Sequence, residues 1–124
     1  MKCIIFCQQL STPELLPTDQ PTEDIVGPYI LHDFFIYHYL RNGFSIEKIY
    51  SLACHSFTNE FQPVIIKKWL RVFIQRFYQQ QFKRTTLPSG PKVGSVTVSP
   101  RGDLRMPDEA SCDTLLAIID NLPT

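Results

Sequence analysis

The chain has 124 residues, of which 44% are hydrophobic, 19% are charged and 12% are aromatic. This composition is that of one globular domain, or of a piece of one, and it excludes an intrinsically disordered chain. Because no apolar run approaches the roughly 20 residues of a membrane span and the four cysteines form no C-x-x-C pair, we expect a soluble, cytoplasmic protein without a disulfide framework.

The net charge of zero results from one positively charged segment between two negatively charged ones. Residues 1–60 and residues 108–124 each carry a balance of −4, whereas residues 61–107 carry nine basic side chains and one acidic side chain, Asp103. A basic block of this kind predicts an anionic partner: a phosphate, a nucleotide, a nucleic acid or an acidic protein surface. A solvated helix face would give the same pattern, so the charge alone leaves both interpretations open.

Prolines dominate residues 8–29, where four of them recur every four to seven residues. Each proline lacks a backbone N–H and disfavours helix in the residue before it, so we predict a loop. Acidic side chains lie between these prolines, among them Glu23 and Asp24. A long loop in a compact domain is usually functional, and otherwise it is a linker.

Two helices are predicted next. The first covers roughly residues 30–41, and so many of its positions are apolar that we expect it to be buried on most sides. Asn42 and Gly43 should end it, because glycine readily takes the left-handed conformation of helix ends. The second begins at Ser45, whose hydroxyl can cap the free N–H groups, and runs to about His55.

A third helix is the clearest of the predicted elements. It begins at Pro63, since proline suits a first helical position. Its apolar side chains recur at the spacing of one helix face. They are Ile66, Leu70, Phe73, Ile74 and Phe77. The basic side chains of this stretch fall largely outside that face, so the basic block starts as one flank of an amphipathic helix.

After the helical region the pattern changes to turns. Residues 92–98 alternate valines with small residues, which predicts a short strand. Residues 99–103 indicate a tight turn, in which we expect Asp103 to bond the backbone or Arg105. A last short helix is predicted over residues 113–122.

Motifs of the common enzyme classes are absent from the sequence, including the phosphate loop and the dinucleotide-binding fingerprint. His32 and His38 are six residues apart, which is not the i, i+4 spacing of a helical metal pair, so no metal site is predicted. Lys83 and Arg84 follow a run of glutamines. They could bind an anionic ligand, or they could meet the negative end of a helix dipole.

Three segments are informative together: residues 26–49 (VGPYILHDFFIYHYLRNGFSIEKI), 66–77 (IKKWLRVFIQRF) and 81–107 (QFKRTTLPSGPKVGSVTVSPRGDLRMP). In order and spacing they resemble the C-terminal region of the glutamine-dependent NAD synthetases, and the likeness spans residues 12–112. It implies that the chain is the C-terminal portion of an α/β, Rossmann-like adenine nucleotide alpha hydrolase synthetase domain whose parallel sheet lies upstream.

Within this chain the implied fold is mostly α, with three or four helices and a short β arm. The likeness divides the chain into an unmatched start (1–11), a loop that covers the site (12–29), a helical part (30–82), a signature tail (83–107) and a C-terminal tail (113–124).

The resemblance also implies a reaction. The full enzyme uses ATP and Mg²⁺ to adenylate the nicotinate carboxylate of deamido-NAD, and ammonia then displaces AMP. A separate nitrilase-like glutaminase domain supplies the ammonia from glutamine. This chain has neither that domain nor a Ser-Gly-Gly-x-Asp-Ser pyrophosphate loop. We therefore expect no catalytic residue here and no activity of the chain alone. Its expected partners are the upstream synthetase and glutaminase domains and further copies of the full enzyme.

Five residues carry the implied binding roles. Lys83 and Arg84 match the Phe-Lys-Arg signature, which implies contact with the anions of deamido-NAD or ATP. Asp103 matches the Ser-Pro-Arg-Gly-Asp turn beside the substrate. Glu23 and Asp24 lie in the loop that resembles the covering segment.

The chain departs from the family pattern at two places. Leu104 stands where the family generally has tryptophan, and Asp108 and Glu109 replace a common Ser-Asp pair. Both departures fall in the signature tail and its continuation, so they bear on how that tail docks.

A small basic helical module that binds nucleic acid, or another anionic partner, is the alternative interpretation. Its support is the basic block of residues 61–107. Against it, base stacking needs exposed aromatic rings, whereas Phe73 and Phe77 are predicted to be buried. We expect no nucleic-acid binding beyond weak nonspecific attraction.

Overall fold

The computed structural model describes residues 27–88 and 91–124. Glu23, Asp24, the unmatched residues 1–11 and most of the expected covering loop lie outside the described residues. The elements are α1 (Tyr29–Ile36), α2 (Ile46–Ser56), α3 (Pro63–Gln79), α4 (Gln81–Thr86) and α5 (Asp113–Asp120), with a π-helical turn (Tyr37–Arg41) after α1. The predicted mostly α architecture is therefore confirmed.

The first predicted helix has the expected length but two kinds of turn. Its α-helical part ends at Ile36 and a wider π-helical turn continues it to Arg41. The backbone N–H of Phe44 then donates to the carbonyl of His38 at 3.1 Å. Gly43 has a φ of +62°, so the predicted left-handed stop is confirmed.

The starts of α2 and α3 follow the predicted capping rules. The Ser45 hydroxyl accepts a hydrogen bond from the backbone N–H of Lys48 at 3.4 Å and so occupies one free donor of α2. Pro63 is the first residue of α3, where its missing N–H leaves no intrahelical bond unmade.

The core lies around α3, which packs against α1, α2 and α5. All five apolar side chains of its predicted face are buried, so the periodicity located the core correctly. The opposing side chains are supplied by the other helices. Among them are Leu31 and Phe35 of α1, Ile49 and Ala53 of α2, and Ile119 of α5. Removing these side chains from water is the main term that holds the helices together.

The predicted strand over residues 92–98 is wrong. In the described part of the chain, residues 91–98 form no strand and run as irregular backbone. Val93 is 79% exposed, and a strand without a neighbour leaves its backbone groups unpaired.

The last predicted helix is confirmed as α5. No helix in the described ranges is long and apolar enough to cross a membrane.

Candidate functional site

The α4 helix presents Lys83 to solvent. This short helix directly follows α3, with Gln80 between them. The Lys83 side chain is exposed, and its ammonium lies 5.9 Å from the centre of the Phe82 ring, which is half exposed. Within residues 27–88 and 91–124, neither of the two ion pairs involves Lys83. Its charge is therefore not neutralised by a carboxylate of the described chain.

Arg84 is directed inward instead. Its guanidinium donates to the side-chain oxygen of Gln81 at 2.8 Å and to the backbone carbonyl of Phe77. Its central carbon also lies 4.6 Å from the centre of the Phe77 ring, a cation–π distance. Burial lowers the pKa of the Arg84 guanidinium. Of the two interpretations left open by the sequence, these contacts match a cation at a helix C-terminus, and contact with a substrate anion stays a prediction.

Gln81 joins α4 to the irregular segment that follows it, residues 91–108, which is called the tail from here on. Sequence reasoning missed this residue. Its side chain is fully buried, although glutamine is usually exposed. Its amide nitrogen donates to the backbone carbonyl of Met106 at 3.2 Å. A signal was present: Gln81 lies four residues after Phe77 and so continues the buried face of α3.

Asp103 organises the turn of the tail. One carboxylate oxygen accepts from the Lys92 ammonium at 2.9 Å and from the backbone N–H of Thr97 at 2.9 Å. These two bonds hold the pKa of Asp103 below its usual value although the group is exposed, and the bond from Lys92 has the larger effect. The predicted bond to the backbone is confirmed, whereas Arg105 donates to the carbonyl of Gly102 at 3.3 Å instead.

Both family departures take part in docking the tail. Leu104 is partly buried and packs against the hydrophobic core, as Met106 does. Asp108 accepts a hydrogen bond from the Thr85 hydroxyl at 3.0 Å, which adds an exposed contact to α4. The tail is thus held to α4 from two sides, through Gln81 and through Thr85.

Comparison with known proteins identifies the relatives of this chain. No family model matches it. A glutamine-dependent NAD(+) synthetase from Mycobacterium tuberculosis is 40% identical to it over 88% of this chain and 19% of the relative. One from Mycobacterium leprae is 40% identical over 81% of this chain and 18% of the relative. The resemblance to glutamine-dependent NAD(+) synthetases is confirmed. The chain spans about a fifth of the length of the curated relatives it matches.

The basic flank of this synthetase-like chain is occupied in part by its own C-terminal helix. The Lys67 ammonium donates to the carbonyls of Asp120 and Leu122 at 3.1 and 2.8 Å. Arg71 pairs with the Asp120 carboxylate at 3.1 Å. These two cations of α3 therefore meet the negative end of α5, a structural role for half of the four basic groups that α3 carries.

Neither a metal site nor the cleft of this synthetase-like chain adds to the predicted site in the described residues. In the described ranges, His, Cys, Asp and Glu side chains form no group of three that could hold a metal ion. An open cleft of about 440 Å³ lies between α2 and the end of the chain, lined by Glu47, Tyr50, Asn121 and their neighbours. Of the predicted site residues that the structure describes, which are Lys83, Arg84 and Asp103, none lines this cleft.

Proposed function

We propose that the chain is the C-terminal part of an ATP-dependent amide ligase, which converts deamido-NAD to NAD with ammonia from glutamine through an adenylated nicotinate. The observation that carries this proposal is the 40% identity to glutamine-dependent NAD(+) synthetases over 88% of this chain. Because the chain spans about a fifth of those relatives, the reaction requires the remaining synthetase and glutaminase parts. The isolated chain should form no NAD.

Lys83 is the group best placed to bind a substrate anion. Its ammonium is exposed and no described carboxylate pairs with it, so it is available to form an ion pair with a phosphate of deamido-NAD or ATP. Activation of the nicotinate carboxylate by ATP makes AMP the leaving group, and a fixed cation offsets the charge that develops on the phosphates. Asp103 would border the same substrate from the tail.

The other proposed roles are supported by the resemblance. Arg84 would act at the edge of the anion site, and Glu23 and Asp24 would belong to the segment that covers it. The described residues provide no group of metal ligands, so no step is assigned here to Mg²⁺. Assembly of the full enzyme into a homo-oligomer and a cytoplasmic location are further predictions.

A chimera tests this proposal directly. The segment of the Mycobacterium tuberculosis synthetase that matches this chain is replaced by the chain, and NAD formation from deamido-NAD and ATP is measured with ammonium as the nitrogen source. Ammonium makes the assay independent of glutamine hydrolysis. We expect NAD to form, and a folded chimera that forms none would contradict the proposal.

Lys83→Ala then tests the anion contact in the active chimera. Loss of a hydrogen bond to a charged group should lower kcat/KM by about ten- to a hundredfold. Lys68→Ala is the matched control, because Lys68 is an exposed lysine of α3 whose ammonium lies over the Trp69 ring at 4.9 Å. An equal fall in kcat/KM for the two substitutions would show that Lys83 does not bind the substrate anion.

A further inference from the structure

The Gln81 side chain is fully buried, and both ends of its amide are used. The nitrogen donates to the Met106 carbonyl at 3.2 Å, and the oxygen accepts from the Arg84 guanidinium at 2.8 Å. A buried amide without partners would cost free energy. In the described residues no buried side-chain nitrogen or oxygen lacks a partner, so this network is complete.

Arg84 extends the network to α3. It donates to the Phe77 carbonyl in the last turn of α3 and lies against the Phe77 ring. One side chain, Gln81, therefore connects three parts of the fold: the end of α3 through Arg84, α4 in which it lies, and the tail through Met106.

The residues of this network lie close in sequence to Lys83 and Asp103, the two groups proposed to bind substrate. Lys83 lies between Gln81 and Arg84 on α4, and Asp103 lies three residues before Met106. The intervening residues 91–95 are exposed, so they do not fix the tail against α4. Of the two hydrogen bonds that α4 side chains donate to the tail in the described residues, the one from Gln81 to Met106 has a fully buried donor side chain, whereas the one from Thr85 to Asp108 is exposed. We therefore assign to Gln81 the larger part in setting where Asp103 lies relative to Lys83.

We propose that Gln81 and Arg84 form a positioning pair, which holds the tail that carries Asp103 against the helix that carries Lys83. The part of this inference that concerns substrate rests on the proposed function. Neither side chain needs to touch the substrate, because each acts through Met106, Phe77 and the backbone of α4. Arg84 would then act at the edge of the anion site as a positioning residue, and the anion contact that the resemblance implies for Lys83 and Arg84 would fall to Lys83 alone.

Met106 reports on this pair in the full 124-residue chain. The chain has two methionines, Met1 and Met106, so a chain labelled with ¹³C-methyl methionine gives two methyl signals. Met106 packs against the core, and its signal should differ from that of free methionine. Gln81→Leu removes both hydrogen bonds, and we expect the Met106 signal to move to the free position and sharpen.

Two gentler variants keep the test decisive should Gln81→Leu fail to fold. Gln81→Glu retains an oxygen for Arg84 but removes the amide N–H that donates to the Met106 carbonyl. Arg84→Lys retains the charge but removes the planar guanidinium, whose two N–H groups donate to Gln81 and to the Phe77 carbonyl at the same time. Gln79→Leu is the matched control, because Gln79 is exposed at the end of α3. A Met106 signal that is unchanged in Gln81→Glu would overturn the positioning pair.

A kinetic measurement in the chimera tests the link to substrate. Misplacement of the tail should raise the KM for deamido-NAD about tenfold in Gln81→Glu, with a smaller change in kcat. A merely structural role would lower the active fraction and hence kcat, and it would leave KM unchanged. A released Met106 signal with unchanged KM would overturn the link to substrate. A chimera without any NAD formation would instead refute the proposed function, while the methyl spectrum would still decide the pair.

Discussion

The Lys67 ammonium of α3 donates a hydrogen bond to the Leu122 carbonyl at 2.8 Å, just beyond the end of α5. A second bond joins it to the Asp120 carbonyl at 3.1 Å. The last carbonyls of a helix have no intrahelical partner and carry the negative end of its dipole. Lys67 therefore fastens the C-terminal helix to the central one, and part of the basic block is used within the protein.

Lys67→Met should destabilise the chain for this reason. We expect its free energy of unfolding to fall by about 1 kcal/mol, because two carbonyls lose a charged donor while the apolar stem is retained. Urea denaturation followed by circular dichroism measures the change. Lys68→Met, on an exposed neighbour without such bonds in the described structure, is the control. Equal losses in the two variants would show that the Lys67 contacts contribute nothing.

Nucleic-acid binding should be weak, because the cations of α3 are partly engaged. Arg71 is paired with Asp120, and the Phe73 and Phe77 rings are buried and cannot stack on bases. At 150 mM salt we expect no saturable binding to a single- or double-stranded 20-mer below about 100 µM protein. Fluorescence anisotropy over a salt series measures this. Micromolar affinity with a steep salt dependence would restore the alternative of a basic binding module.

Four of the five described helices could be predicted because their signals are local, whereas the short helix α4 was not predicted. The buried face of α3 repeats along a single element, and the stops and caps at Gly43, Ser45 and Pro63 depend on the residue itself. The strand over residues 92–98 could not be judged in this way, because alternation does not reveal whether a neighbouring strand exists.

The predicted site shows the same division between local and distant information. The exposure of Lys83 fits its place beside a loop. The inward turn of Arg84 depends on Phe77, seven residues away, and the burial of Gln81 depends on Met106, 25 residues away. The periodicity of α3 could have indicated that Gln81 is buried, but the identity of its partner is set by tertiary packing, which local residue patterns do not reveal.

His38 should make the stability of the chain depend on pH. Burial lowers its pKa from 6.5, and the nearby Lys48 charge adds to the effect. Its ring accepts a hydrogen bond from the Asn42 amide at 3.0 Å and stacks on the Phe44 ring at 5.5 Å. Because Nδ1 accepts that bond, this arrangement needs the neutral ring.

The sign of the pH effect follows from the lowered pKa. Between 6.5 and the lower value of the folded state, the unfolded chain binds more protons than the folded one. The stability is thus complete above about pH 6.5 and falls as the pH drops through that window. Urea unfolding at pH 7.5 and pH 5 measures the loss, which His38→Gln should reduce. The control is His55→Gln, at an exposed position of α2; an equal reduction there would exclude His38 as the source.

Gly27 and Gly43 offer a matched test of how the chain enters its first helix. Both have positive φ, +95° and +62°, so alanine at either position is strained by roughly 1–2 kcal/mol. A Cβ at Gly43 would meet nothing within 4 Å, whereas a Cβ at Gly27 would lie 2.5 Å from the Trp69 ring. Close contact with Trp69 therefore fixes the point where the expected covering segment joins α1.

Gly27→Ala should therefore add a clash with the Trp69 ring to the backbone strain, whereas Gly43→Ala should add the backbone strain alone. Both variants lose stability in urea denaturation, and Gly27→Ala loses more because the Trp69 ring must move. Trp69 is the single tryptophan of the chain, so its emission should shift in the folded Gly27→Ala protein and stay constant in Gly43→Ala. Since Trp69 lies on α3, a shift would mean that the entry to α1 is set by direct packing on the central helix. Identical emission and equal stability losses would mean that only the backbone conformation matters at Gly27, and that the covering segment is anchored elsewhere.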